Sequence, residues 1–529
     1  MSEAVSDGDG MVVAPHRAAA ASGAEVLKAG GNALEATIAA AATVAVVYPH
    51  MNGIGGDAFL LVAEPGRAPK AIDACGAAGA LATVAHYRGK GYDAVPARGA
   101  DAALTVAGAV SGWRLAGEIA ASLGGRLGRR DLLADAIRLA KEGFAVSGSQ
   151  ARMTAANREE LQSVSGFAEH FMPDRQPPAE GDLVKPPRLA DTLDHLAHAG
   201  FDDFYRGDVG AAIAADLAAA ESPVTREDLA RHAAGLVEPL SLRLGDATLY
   251  NTPAPTQGIA SLVLLGLFAR LAVTRGEGFD HVHGLIEATK RAFAVRDAEV
   301  GDPAEDRDLA RFLDPAWLDA EAERIDRRRA SPWTPGAGDG DTVWIGAIDG
   351  DGLAVSFIQS LYWEFGSGLV LPGTGILWQN RGAAFSLDPG SVNRLAPGRK
   401  PFHTLNPPLA RFDDGRTLVY GSMGGDGQPQ FQAAIFTRYV RFAMGLAAAV
   451  DAPRWRLGRT WGEAEAGVEI ESRFDPDVAA ALTRAGHRVT VLDEAYSDRM
   501  GHAGAIVRRA DGRLTGAADP RSDGAALGA

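Results

Sequence analysis

The chain has 529 residues, 47% of them hydrophobic and 22% charged, which excludes a disordered, fibrous or coiled-coil protein and leaves room for three to four domains or one large core. Its 52 Lys and Arg against 67 Asp and Glu give a net charge of −15, a surface that repels phosphate backbones and anionic lipid, so neither nucleic acid nor a membrane is an expected partner. One cysteine, Cys75, excludes an internal disulfide and a cysteine-rich metal site and fits a reducing cytoplasm.

The opening MSEAVSDGDG is acidic and is not followed by an apolar run, so no secretory signal is expected. Gly30-Gly31 followed by Asn32 reads as a helix stop and a new N-cap, which predicts an antiparallel helix pair over Arg17–Ala29 and Ala33–Val47. The second helix is apolar all round and too short to span a bilayer, so it belongs in a core. A glycine-dense loop from Pro49 to Asp57 leads into a strand over Ala58–Val62. From Gly112 to Val300 the pattern is mainly helical, as in Asp131–Glu142, Arg188–Ala199, Gly258–Ala272 and His281–Arg296. Glu305 to Asp341 turns charged and then Pro/Gly-rich, the composition of an exposed linker. Two strands follow, Thr342–Ile348 and Leu353–Ile358, joined across Asp349-Gly350-Asp351-Gly352 as a hairpin. The C-terminal part alternates strands (Leu418–Gly421, Val468–Glu471, Ala505–Val507) with helices (Gln430–Met444, Pro476–Ala485).

Several motif readings fail on context. Gly53-x-Gly55-x-x-Ala58 has dinucleotide-site spacing, but it follows a helix and opens a strand, the reverse of what that chemistry needs. His281 and His283, with Glu287 one turn on, do not face one another on a helix, so no metal is expected there, and no cofactor is expected anywhere. No GxSxG elbow is present, and Cys75 has no activating neighbour in sequence.

The junction Asp341-Thr342 is different. A threonine that opens a strand directly after a Gly/Asp linker is placed to attack the preceding carbonyl, and cleavage would free an α-amine with an ordinary pKa of about 7.7–8.0 to act as its own base.

The runs Ala20 to Ala36, Gly53-Ile54-Gly55-Gly56, Thr105 to Gly112, Gly301-Asp302-Pro303, Gly421 to Gly425, Ala452-Pro453-Arg454 and Asp519 to Ser522 together resemble, in order, the γ-glutamyltransferase family of N-terminal-nucleophile hydrolases. The resemblance implies an α+β fold, an αββα four-layer sandwich. It implies self-cleavage between Asp341 and Thr342 into a large subunit (1–341) and a small one (342–529), partners that form one unit and can pair further as a dimer of heterodimers. By the same resemblance Thr342 is the nucleophile, Ser360 its supporting hydroxyl, and Gly424 and Gly425 the oxyanion donors.

The site departs from the family where an α-amino acid head would bind: the family's Arg falls on Cys75, its Asn on Tyr362, its Gln on Arg381, its Asp on Ala384 and its serine pair on His403-Thr404. Loss of the Asp removes a counter-charge for an ammonium, and Arg381 supplies a fork for a carboxylate, unless it instead braces the pocket by pairing with Asp388 or Asp426. Tyr362, Trp363 and Trp378 add bulk, which favours a small acyl group. The runs Phe357 to Ser360, Phe365 to Gly368, Trp378 to Ser386 and Gly424 to Gln430 most resemble the branch that hydrolyses oxamate to oxalate and ammonia. The leading expectation is therefore a cytoplasmic self-cleaving amidohydrolase acting on a small carboxylate-bearing amide. A γ-glutamyl hydrolase or transferase, a dicarboxylyl acylase of the cephalosporin type, and an unprocessed non-catalytic paralogue are the alternatives.

Overall fold

The computed structural model describes residues 3–333, 341–458 and 467–529. Among these, two seven-stranded sheets dominate. One runs, in spatial order, Ala525–Gly528, Gly10–Ala14, Asp341–Asp349, Ala354–Tyr362, Asp57–Ala63, Lys70–Ala74 and Gly235–Val237. The other runs Ala4–Ser6, Leu514–Ala518, Ala503–Arg508, Thr417–Ser422, Leu409–Phe412, Ala247–Asn251 and Leu240–Leu244. The paired strands in both are antiparallel.

The alternation of the strands explains the layering. In Asp341–Asp349, Val343, Ile345 and Ala347 face an outer layer of helices that includes Ala33–Val47, while Trp344 and Ile348 face the second sheet. Trp344 fills the space between the sheets because glycines leave it room: a Cβ on Gly421 would lie 2.2 Å from its ring. The second sheet turns Leu249, Leu418, Tyr420 and Val507 outward onto the helices Gly258–Arg270, Phe279–Glu299 and Gln428–Phe436. The result is an α+β sandwich of four layers, helix, sheet, sheet, helix.

The N-terminal helix pair forms at Arg17–Lys28 and Ala33–Val47, with Asn32 accepting from the Glu35 N–H and Glu35 returning the bond in a capping box. All fifteen residues of Ala33–Val47 are buried. Gly112 to Val300 is mainly helical as expected, with one addition and two corrections to the reading. The helical middle also contains Leu240–Leu244 and Ala247–Asn251, whose strict alternation was masked by flanking Pro and Gly. The linker is not uniform: Pro315–Ala322 is a helix capped by Asp314, and the stretch 334–340 lies outside the described residues. The helix expected over Gln430–Met444 closes at Phe436 and continues as a π-turn, Thr437–Arg441.

Candidate active site

The head of Asp341–Asp349, the tail of Ala354–Tyr362, the head of Asp57–Ala63 and the residues just beyond Lys70–Ala74 lie at one end of the first sheet. Asp341 pairs with Tyr362 but Val343 pairs with Gln359, so a bulge opposite Thr342 leaves Ser360 and Leu361 facing it. Thr342 is buried and its Oγ1 receives a hydrogen bond from Gln428 Nε2 at 3.3 Å. Gln428 opens the helix Gln428–Phe436 and is itself fixed by Asn406, whose Nδ2 donates to its Oε1 at 3.2 Å. Ser360 Oγ accepts from the Tyr362 N–H at 2.7 Å. For Asp341 only the backbone, at the strand head, is described.

Immediately before that helix is the turn Gly424-Gly425. Both residues have positive φ, +117° and +51°, a region that side-chain-bearing residues rarely occupy. The Gly427 N–H donates to Gly424 O at 2.7 Å, which fixes the peptide carrying the Gly425 N–H, and Gln257 Nε2 holds Gly425 O at 2.8 Å. Gln257 is in turn held by Arg296 Nη1 at 3.0 Å, and Arg296 pairs with Asp426 at 2.9 Å.

Arg381 opens the short turn Arg381–Ala384 and is buried, 1% exposed. Its guanidinium lies 3.7 Å from the centroid of the Tyr362 ring and Nη2 donates to Thr404 Oγ1 at 3.3 Å, while Nε and Nη1 have no hydrogen-bond partner among the described residues. Neither acidic residue considered as a brace pairs with it: Arg381 forms no ion pair among the described residues, Asp388 closes its own turn by accepting from the Gly390 N–H, and Asp426 pairs with Arg296. Burial lowers its pKa to about 10, partly offset by Tyr362 and Asp57, so it remains charged at neutral pH. Of the bulky residues, Tyr362 touches Arg381, and Trp363 is only half-buried under Arg98. Trp378 packs in the helix-side core with Nε1 on Thr105 O, a correction to its expected place in the pocket.

Cys75 and His403 come together with a residue that sequence reasoning missed, Asp57. His403 Nε2 donates to Asp57 Oδ2 at 3.2 Å, and Asp57 Oδ1 accepts from the Gly76 and Gly108 N–H groups, each at 3.0 Å, and from Gln379 Nε2 at 3.2 Å. Burial raises the Asp57 carboxyl to about 7 even against those donors. Burial, then Arg381 and Lys400, hold His403 far below its ordinary value, so its imidazole is neutral. Burial pushes the Cys75 thiol well up, which keeps it protonated and unreactive. The one signal for Asp57 in the sequence was a carboxylate directly in front of a wholly apolar strand.

The sequence matches the gamma-glutamyltranspeptidase family model over residues 19–529. It is 53% identical over 521 residues to an oxamate amidohydrolase proenzyme of Klebsiella pneumoniae, covering 98% of both chains, and 40% identical to a glutathione hydrolase-like proenzyme of Bacillus subtilis, again covering 98% of each. The chain belongs to the gamma-glutamyltranspeptidase family. Among solved structures, a cephalosporin acylase of Bacillus halodurans is similar at a TM-score of 0.92 and 33% identity, covering 100% of this chain and 97% of that one. As a gamma-glutamyltranspeptidase family member the protein is an amidohydrolase of the N-terminal-nucleophile class with the corresponding sandwich fold.

In this family member, among the described residues, two buried groups of side chains bring atoms of the kind that can ligate a metal within 4.8 Å of one another: Asp57, Cys75 and His403, and His283, Glu287 and His487. The first is closed by the Asp57–His403 hydrogen bond. In the second, His283 Nδ1 meets His487 Nε2 at 2.8 Å and Lys290 Nζ already sits 2.6 Å from Glu287 Oε1. His281 points elsewhere, to Thr437, as the helical spacing required. No helix among the described residues is long and apolar enough to cross a membrane.

Proposed function

We propose that this family member hydrolyses a small amide bearing a carboxylate next to the scissile group, with oxamate as the substrate. The observation that carries the reading is Arg381: a buried, charged guanidinium, stacked on Tyr362, with two nitrogens unpartnered and no carboxylate in ion-pair contact with it among the described residues. A buried cation without a carboxylate in contact is costly, and an anionic ligand supplies that contact. The 53% identity to an oxamate amidohydrolase proenzyme points the same way.

In this reading the precursor is cut between Asp341 and Thr342, giving subunits 1–341 and 342–529. Thr342 Oγ then attacks the amide carbonyl, its freed α-amine takes the hydroxyl proton and passes it to nitrogen, and ammonia departs to leave an acyl ester on Thr342. Water hydrolyses the ester. Ser360 and Gln428 orient the nucleophile, and the N–H groups of Gly424 and Gly425 receive the oxyanion. Arg381 holds the substrate carboxylate with Thr404, while Tyr362, His403 and Cys75 limit the pocket to a short acyl chain. The single buried cysteine supports action in the reducing cytoplasm.

A dicarboxylyl acylase is the second reading, favoured by the TM-score of 0.92 to the cephalosporin acylase. Ammonia release from oxamate, compared with chromophore release from γ-glutamyl and glutaryl anilides, separates the two. Turnover of oxamate alone supports the proposal, and turnover of the anilides with none of oxamate overturns it.

A further inference from the structure

We propose that Asp57 is a specificity-determining residue of this site: its carboxylate sets how much negative charge the pocket accepts, so that a monoanionic substrate enters and the dianion made from it is expelled. The inference rests on the reading of Arg381 as the carboxylate anchor.

The pocket's charge count leads to it. Asp57 cannot swing away, because Oδ1 is pinned by Gly76, Gly108 and Gln379. Its other oxygen faces His403, whose neighbour Thr404 receives Arg381, so carboxylate and guanidinium are joined through two adjacent residues. The remaining groups that face Asp57 bring no net charge. His403 is neutral, the Cys75 thiol and the Tyr205 hydroxyl are both pushed up by burial, and Lys400 is spent on Asp73 at 2.7 Å. One cation and one carboxylate are therefore left among buried side chains.

A ligand carboxylate on Arg381 adds a second negative charge. The site absorbs it when Asp57 takes up a proton, which its position near pH 7 allows. Hydrolysis changes the count again: oxamate monoanion and water become oxalate dianion and ammonium. The dianion therefore demands protonated Asp57 more strongly than the substrate does. As pH rises above 7, holding it means either keeping that proton at growing cost or facing ionised Asp57 with two like charges at low dielectric, so the product is driven out. Among the described residues no further positive side chain of the cluster is left to hold it.

The test is competitive inhibition of the mature enzyme by oxalate, a dianion, and by pyruvate, a monoanion of similar size without a scissile bond, from pH 6 to pH 8. In the wild type the ratio of the oxalate to the pyruvate inhibition constant should rise about tenfold across that range, one unit of differential interaction. In Asp57→Asn the ratio should become independent of pH, with oxalate binding about tenfold tighter than to wild type at pH 8. A wild-type ratio flat with pH, or a variant that shifts both anions equally, overturns the inference. The wild-type profile decides the matter alone if the variant does not mature. Failure of both anions to compete, with Arg381→Met unaltered in kcat/KM, would overturn the Arg381 reading itself.

Discussion

Arg381 lays its guanidinium over the ring of Tyr362 at 3.7 Å, and Tyr362 sits at φ +87°, a conformation rare for a residue with a side chain. The strained backbone turns the ring face toward Arg381, and the ring in turn fixes the plane of the guanidinium. The pair thus holds the guanidinium in a preset plane, with Nε and Nη1 buried and without a hydrogen-bond partner among the described residues.

Removing the ring tests this arrangement. Tyr362→Phe keeps an aromatic face and should keep most of kcat/KM. Tyr362→Leu loses a desolvated cation–π contact of about 2 kcal/mol, so KM for oxamate should rise roughly thirtyfold with little change in kcat. Steady-state kinetics of the two variants checks it, and equal losses in both would show that the hydroxyl, not the face, is what matters.

Maturation is checked on a denaturing gel. The purified protein should run as two chains, with the smaller beginning Thr-Val-Trp-Ile on Edman degradation, and Thr342→Ala should stay whole. Any other N-terminus moves the nucleophile away from Thr342.

Gly425→Val probes the proposed oxyanion donors. A β-branched residue at φ +51° must distort the turn whose peptide Gly427 fixes, so kcat should fall about 100-fold or more in soluble protein. Near-normal turnover would place the donors elsewhere.

Asp57 also predicts a stability profile. Its carboxyl is raised from 3.8 to about 7 in the folded protein, chiefly by burial, so ionising it costs folded-state stability. The contribution is fully present below about pH 4 and is lost as pH rises through 7. Unfolding midpoints at pH 5 and pH 8 should therefore differ more in wild type than in Asp57→Asn, and identical slopes would assign the ionisation to another group.

Much of this architecture was legible in the sequence because local signals and packing agreed. Asn32 and Glu35 spelled out a cap that forms, and the Asp-Gly turn after Ile348 joined the strands it was expected to join. The hairpin Leu240–Leu244 and Ala247–Asn251 was missed because its flanking Pro and Gly hid the alternation, and its place in the sheet comes from pairing of Ala247–Asn251 with Leu409–Phe412, more than 150 residues away. The site divides the same way. Thr342 stood out through its linker and strand, whereas Asp57 and Gln428 gain their roles only when the sheet end and a helix start converge. Trp378 shows the converse: bulk near a site in sequence became core, because its neighbour Gln379 and its own Nε1 are tied to Val106 O and Thr105 O.

The most direct measurement is kcat/KM for oxamate and for a neutral amide of similar size, in wild type and in Arg381→Met. Loss of a charge-assisted contact worth about 1.5–3 kcal/mol should lower the oxamate value roughly ten- to a hundredfold while the neutral amide changes little. Arg381→Lys should recover only part of the loss, because an ammonium does not reproduce the fork. An equal fall for both amides in Arg381→Met would contradict the account, since it would make Arg381 a support of the scaffold and not the anchor of the substrate carboxylate.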